Sequence, residues 1–114
     1  MNESYVSAIE SCGWSIYDEG DSIELYQMSP AGEDFGFSVL KENFVEDVLD
    51  YAESFDVDEH VIMWIHAKEN GVKGVPDVST LLDDAKDISK MLMRLARKLG
   101  QVERAGQMPE NLIK

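Results

Sequence analysis

The sequence predicts an α+β fold: an N-terminal helix, a three-stranded antiparallel meander, then three helices with a long C-terminal one. Three observations carry this. Apolar residues recur at helical spacing near the N-terminus, alternate at strand spacing up to residue 40, and return to helical spacing from residue 44 onward. Gly, Pro, Asn and Asp cluster at the points where the period changes.

Tyr5, Ala8, Ile9 and Cys12 fall at i, i+3, i+4 and i+7 and define the first helix, with Asn2 placed to cap it and Gly13 to end it. Extended runs follow at residues 14–18, 22–28 and 35–40. Asp18-Glu19-Gly20-Asp21 separates the first two and Ser29-Pro30-Ala31-Gly32-Glu33-Asp34 the last two, both compositions suited to tight turns. Phe35, Phe37 and Val39 alternate as in a strand with one face in a core.

Asn43 with Glu46 three residues on matches a capping box, and Val45, Val48, Ala52 and Phe55 mark the apolar face of the helix it would open. Asp56 with Glu59 repeats the signal. Residues 57–70 fit two patterns: Val61, Met63 and Ile65 alternate like a strand, whereas Val57, Val61, Trp64 and Ile65 fit a helix. The cap and the Asn70-Gly71 stop favour the helix. Asp77 caps a last helix expected to end near Gly100, and Val78, Leu81, Ala85, Ile88, Leu92, Leu95 and Leu99 step through it by alternating threes and fours, a heptad seam. At roughly 23 residues and 1.5 Å per residue it would be about 35 Å long, more than a three-stranded sheet covers. Ile88, Leu92, Leu95 and Leu99 are therefore candidates for a homodimer seam as well as for the domain's own core. The expected division is one domain over residues 1–100 and a loosely held tail over 101–114, with Leu112 and Ile113 as a docking hook.

Charge is divided unevenly. The first 67 residues hold 16 Asp and Glu and a single cation, Lys41, a net of −15, whereas the rest hold nine Lys and Arg against seven Asp and Glu, a net of +2. A field of that sign repels nucleic acid and anionic membrane and attracts basic surfaces. Within it Glu46, Asp50 and Glu53 share a helical face, about 6 and 4.5 Å apart along the axis. Glu33, Asp34, Glu42 and Asp47 complete the candidate partner-binding face. One phosphate per about 3.4 Å of a DNA strand is a comparable but denser spacing, so the row has two readings: a solvated helix face, or a phosphate-like surface for a basic, nucleic-acid-binding protein. The basic cluster Lys90, Arg94, Arg97 and Lys98 complements the macrodipole of its helix and is expected to pair with the acidic half.

Catalytic signals are weak. His60 and His66 are six residues apart, on nearly opposite sides of a helix, and no HExxH motif or Cys/His cluster accompanies them. His60 is expected on the surface and His66 on a helix flank. Asp18-Glu19-Gly20-Asp21 and Asp56-Val57-Asp58-Glu59 lack EF-hand spacing and read as turn and cap chemistry, and Gly71-Val72-Lys73-Gly74 is a lone GXXG on an acidic chain. No cofactor, metal or catalytic residue is assigned. The single cysteine, Cys12, excludes an intrachain disulfide, and the longest apolar run, residues 61–65, is far too short to span a bilayer; the expectation is a cytoplasmic protein.

Four segments carry a resemblance: Ser29-Pro30-Ala31-Gly32-Glu33-Asp34-Phe35; Asp58-Glu59-His60-Val61 with Trp64; Asn70-Gly71-Val72 with Gly74-Val75-Pro76; and Leu82 with Asp84-Ala85. In these the chain resembles a group of uncharacterised small acidic proteins of phages and conjugative elements of Gram-positive gut bacteria, over roughly residues 10 to 100. The resemblance transfers no active site. It implies a mobile-element context, in which acidic DNA mimics inhibit host restriction and CRISPR systems. The leading expectation is thus a non-catalytic interaction module for a basic protein, of anti-restriction or anti-CRISPR type. The alternative is a structural or regulatory homodimer module without DNA mimicry.

Overall fold

Asn2 opens the first helix as its sequence position predicts, its side chain accepting a 2.7 Å hydrogen bond from the Ser4 amide. The computed structural model describes residues 1–107. Its elements are α1 (Glu3–Ser11), β1 (Ser15–Asp18), β2 (Ser22–Met28), β3 (Asp34–Leu40), α2 (Phe44–Ser54), α3 (Val57–Glu69) and α4 (Val78–Gln107). This is the expected α+β order, and residues 57–69 are helix, with Asp56 accepting from the Glu59 amide at 3.0 Å.

The strands form an antiparallel meander in the order β1-β2-β3. Ile16 pairs with Leu25 and Leu25 with Phe37, while Ile23 pairs with Val39, so one face of the sheet is continuously apolar. β2 and β3 are joined by residues 29–33; the Ser29 amide donates to the Glu33 carbonyl at 2.7 Å, closing a three-residue loop inside which the Gly32 amide donates to the Ser29 carbonyl at 2.9 Å. Gly32 supplies the positive φ of +97° that such a loop requires at its end.

α4 lies at the centre of the helical layer. Its Ile88, Leu92, Leu95 and Leu99 are fully buried against that sheet face, α1 (Ala8, Ile9) and α2 (Val48, Ala52). A smaller cluster joins α3 to the start of α4 through Val61, Leu81 and Ala85, with Trp64, Ile65 and Val75 beside it. Aromatic rings fill the end of the main core under α2: Phe37 stacks on Tyr51 at 4.5 Å, and Phe35 meets Phe55 edge-on at 5.8 Å.

Three sequence expectations are corrected. Asn43 makes no capping hydrogen bond, so the Asn43/Glu46 box is not formed and α2 is held by its packing. α4 does not stop near Gly100 but runs 30 residues to Gln107, about 45 Å. The cost of a helical glycine, about 1 kcal/mol, is offset on both sides by buried Leu99 and by Val102, which also packs on the core. Residues 101–107 therefore belong to α4 rather than to a tail; Leu112 and Ile113 lie outside the described residues.

Gly13, at φ +89°, turns the chain from α1 into β1, and a Cβ there would run into the Gln27 side chain, which donates to the Cys12 carbonyl at 2.9 Å. Gly13→Ala is expected to cost about 1 to 2 kcal/mol through backbone strain and the displaced Gln27. Urea denaturation checks this, and a loss too small to measure would contradict it.

Candidate functional site

α2 turns Val48 and Ala52 inward and its acidic side outward. Glu46, Asp50 and Glu53 are exposed on one face, Glu42 is exposed just before the helix, and Asp47 is half-buried at its flank. Among the described residues none of these five makes an ion pair. Lys41, the one cation of the acidic half, lies near but is committed elsewhere: its ammonium makes two 2.8 Å hydrogen bonds to the Asp18 carboxylate. Those bonds hold the Asp18 carboxyl below its ordinary range.

The expected pairing of the basic cluster with the acidic half does not occur among the described residues. Arg94, Arg97 and Lys98 form no ion pair, and Lys90 reaches only Asp87 of its own helix at 4.0 Å. The reason is geometric. The core face of α4 is occupied by Ile88, Leu92, Leu95 and Leu99, and residues 90, 94 and 97 project from the opposite side of the helix.

That burial also corrects the dimer seam. Ile88, Leu92, Leu95 and Leu99 are each 0% exposed within a single chain, because α1 and α2 flank α4 and extend the cover beyond the sheet.

The open face of the sheet carries acidic side chains of its own, Glu19, Glu24 and Asp34, around Tyr17 and Tyr26. Tyr17 and Tyr26 meet edge-on at 5.5 Å, and the Tyr26 hydroxyl donates to Glu24. This lowers the Glu24 carboxyl and raises the Tyr26 phenol, and the neighbouring Glu24 carboxylate raises Glu19. Asp34 is exposed at the start of β3 and pairs across to Met28.

Glu33 departs from the expectation that it belongs to the open acidic face. Its side chain is only 17% exposed, and Oε1 accepts from Trp64 Nε1 at 2.7 Å and from His60 Nε2 at 2.9 Å. With its proton on Nε2, His60 is a half-buried partner of Glu33, edge-on to Phe35, and not the surface residue its sequence position implied. His66 is exposed on the same helix. Burial and the nearby Glu33 charge push the Tyr51 phenol up.

Sequence reasoning missed a second anchor of the same turn. Asp84 of α4 is buried, accepting from the Ser29 hydroxyl at 2.6 Å and from the Ala31 amide at 2.9 Å, while Ser29 Oγ accepts from the Glu33 amide at 2.9 Å. Between this turn, α3 and residues 71–76 lies a cleft of about 380 Å³, walled by Trp64, Val75, Pro76 and Leu81 and edged by Glu33, Asp34 and Asp84. Residues 29–35, 58–64, 70–76 and 82–85 all contribute to the cleft or to the side chains behind it. Their separation along the chain concealed that they meet.

The two acidic segments weighed as cation ligands serve the backbone instead: Asp18 accepts from the Gly20 amide at 2.9 Å, and Asp56 caps α3. Among the described residues no group of three or more His, Cys, Asp or Glu is placed to hold a metal ion, and no helix is long and apolar enough to cross a membrane. No known family model, curated protein or solved structure matches the chain.

Proposed function

We propose that the chain is a non-catalytic interaction module of the cytoplasm whose acidic α2 face binds a basic protein surface. One observation carries this: Glu42, Glu46, Asp50 and Glu53 are exposed together with no counter-charge from the described residues, and the nearest cation in sequence, Lys41, is held by Asp18. Like charges at i, i+4 and i+7 each cost an isolated helix a few tenths of a kcal/mol, a cost that a basic partner relieves. The acid-flanked tyrosines of the open sheet face suit a protein interface, where aromatic residues are enriched.

The finer form of the proposal is phosphate mimicry. The acidic row has the same order of spacing as a DNA strand, and the resemblance to mobile-element proteins points to a nucleic-acid-binding defence protein of the host as the owner of the basic surface. Duplex DNA then competes for that partner.

The test uses a partner captured from host lysate and then purified. A Glu42→Lys, Asp50→Lys, Glu53→Lys variant should bind it at least about tenfold more weakly, or about 1.4 kcal/mol, with native circular dichroism. Wild-type binding should fall steeply with salt, since exposed pairs are screened over about 8 Å at physiological ionic strength. Glu33 is excluded from the variant because it holds Trp64 and His60. Equal binding by variant and wild type would reject the proposal.

A further inference from the structure

The cleft beside the β2–β3 turn combines features that select one class of ligand. Its walls, Trp64, Val75, Pro76 and Leu81, are apolar side chains packed from α3, the α3–α4 connection and α4. Its volume of about 380 Å³ lies in the range of small-ligand sites. Its polar edge is negative. Asp84 is buried and bonded only to neutral donors, Glu33 is five-sixths buried and shares one oxygen between Trp64 and His60, and Asp34 is exposed at the mouth. Lys73 borders the cleft, yet among the described residues it forms no ion pair with any of the three.

Carboxylates that border one partly dry cleft repel one another more than fully solvated carboxylates do. An anion is disfavoured by the same field, and a neutral apolar molecule would satisfy the walls but leave the exposed Asp34 carboxylate, which forms no ion pair among the described residues, without a counter-charge. We propose that the cleft receives an alkylammonium or alkylguanidinium group, its aliphatic stem against Trp64, Val75 and Pro76 and its charge between Glu33 and Asp34. A cation on a short hydrocarbon stem is the chemistry that fits an apolar wall with an anionic rim. Lys73, free at the border, is a competitor for the same carboxylates. The assignment does not rest on the reading of α2, whose charges lie outside the cleft.

The protein has two tryptophans, so the indole N–H resonances of Trp64 and of buried Trp14 serve as reporter and internal control in one NMR titration. Agmatine and N-acetylarginine methylamide are the cationic probes, and N-butylurea is the neutral one. The expected result is a saturable shift of the Trp64 indole with a cationic probe and none with N-butylurea. Glu33→Gln keeps an acceptor for Trp64 but removes the charge, and should weaken binding about tenfold. Asp34→Asn, at an exposed position, should weaken it about two- to fivefold. Lys73→Ala should tighten it. Binding of both cations identifies a partner's basic side chain as the natural occupant, and binding of agmatine alone identifies a free amine. The proposal is overturned if neither cation moves Trp64, if N-butylurea moves it equally, or if Asp34→Asn and Glu33→Gln both bind as wild type while Trp14 reports a native core. Loss of this binding with α2 binding intact, or the reverse, separates the two proposals.

Discussion

Leu92→Ala is expected to lower the unfolding free energy by about 2 to 5 kcal/mol and to leave the chain in the same association state. Leu92 is 0% exposed and sits between the sheet and the two helices that flank α4, so deleting its side chain leaves a cavity that rigid neighbours on every side can close only in part. The same residue was a candidate for a seam between two chains. The two roles give different measurements. A core residue yields a lower urea midpoint with unchanged sedimentation, whereas an interface residue yields dissociation of a dimer with little loss in the monomer. The second outcome would return the seam to the surface.

Asp84→Ala is expected to cost about 2 to 4 kcal/mol, because the buried Ser29 hydroxyl and the Ala31 amide both lose a charged acceptor. Its effect should not stay local. Ser29 Oγ also accepts from the Glu33 amide, so freeing Ser29 loosens the residue whose carboxylate receives Trp64 and His60. Fluorescence of Trp64 should therefore change in the folded variant, beyond any change in midpoint. A variant as stable as wild type would mean that burying the Asp84 charge costs as much as its hydrogen bonds return, which is known for buried ionic groups.

The element order was legible because it depends on local period. Alternation of Phe35, Phe37 and Val39 survives as the buried pattern of β3, and Asn2, Asp56 and Asp77 cap where their positions predict, with Asp77 accepting from the Thr80 amide at 2.8 Å. A cap needs only a neighbour two or three residues away, so chain position is sufficient to place it. Asn43 shows the limit of that reasoning: the helix begins where expected although its cap bond is absent, since packing of Val48 and Ala52 sets the boundary. Gly100 shows the opposite error. A local stop signal of about 1 kcal/mol was overridden by burial of Leu99 one residue earlier.

Charge was legible as a quantity and illegible as an arrangement. The sequence by itself determined the period of every element except α3, whose residues fit both periods, together with the one-signed first half and the acidic row of α2, since these follow from residue type and spacing along one helix or strand. Only the tertiary structure decided that Lys41 belongs to Asp18, that the α4 seam is interior, and that Glu33, His60, Trp64, Ser29 and Asp84 form one network. Ser29 and Asp84 are 55 residues apart and Glu33 and Trp64 are 31 apart, so no local period relates them. They meet because the five-residue β2–β3 connection at one end of the sheet packs between two helices, and that packing depends on the whole core.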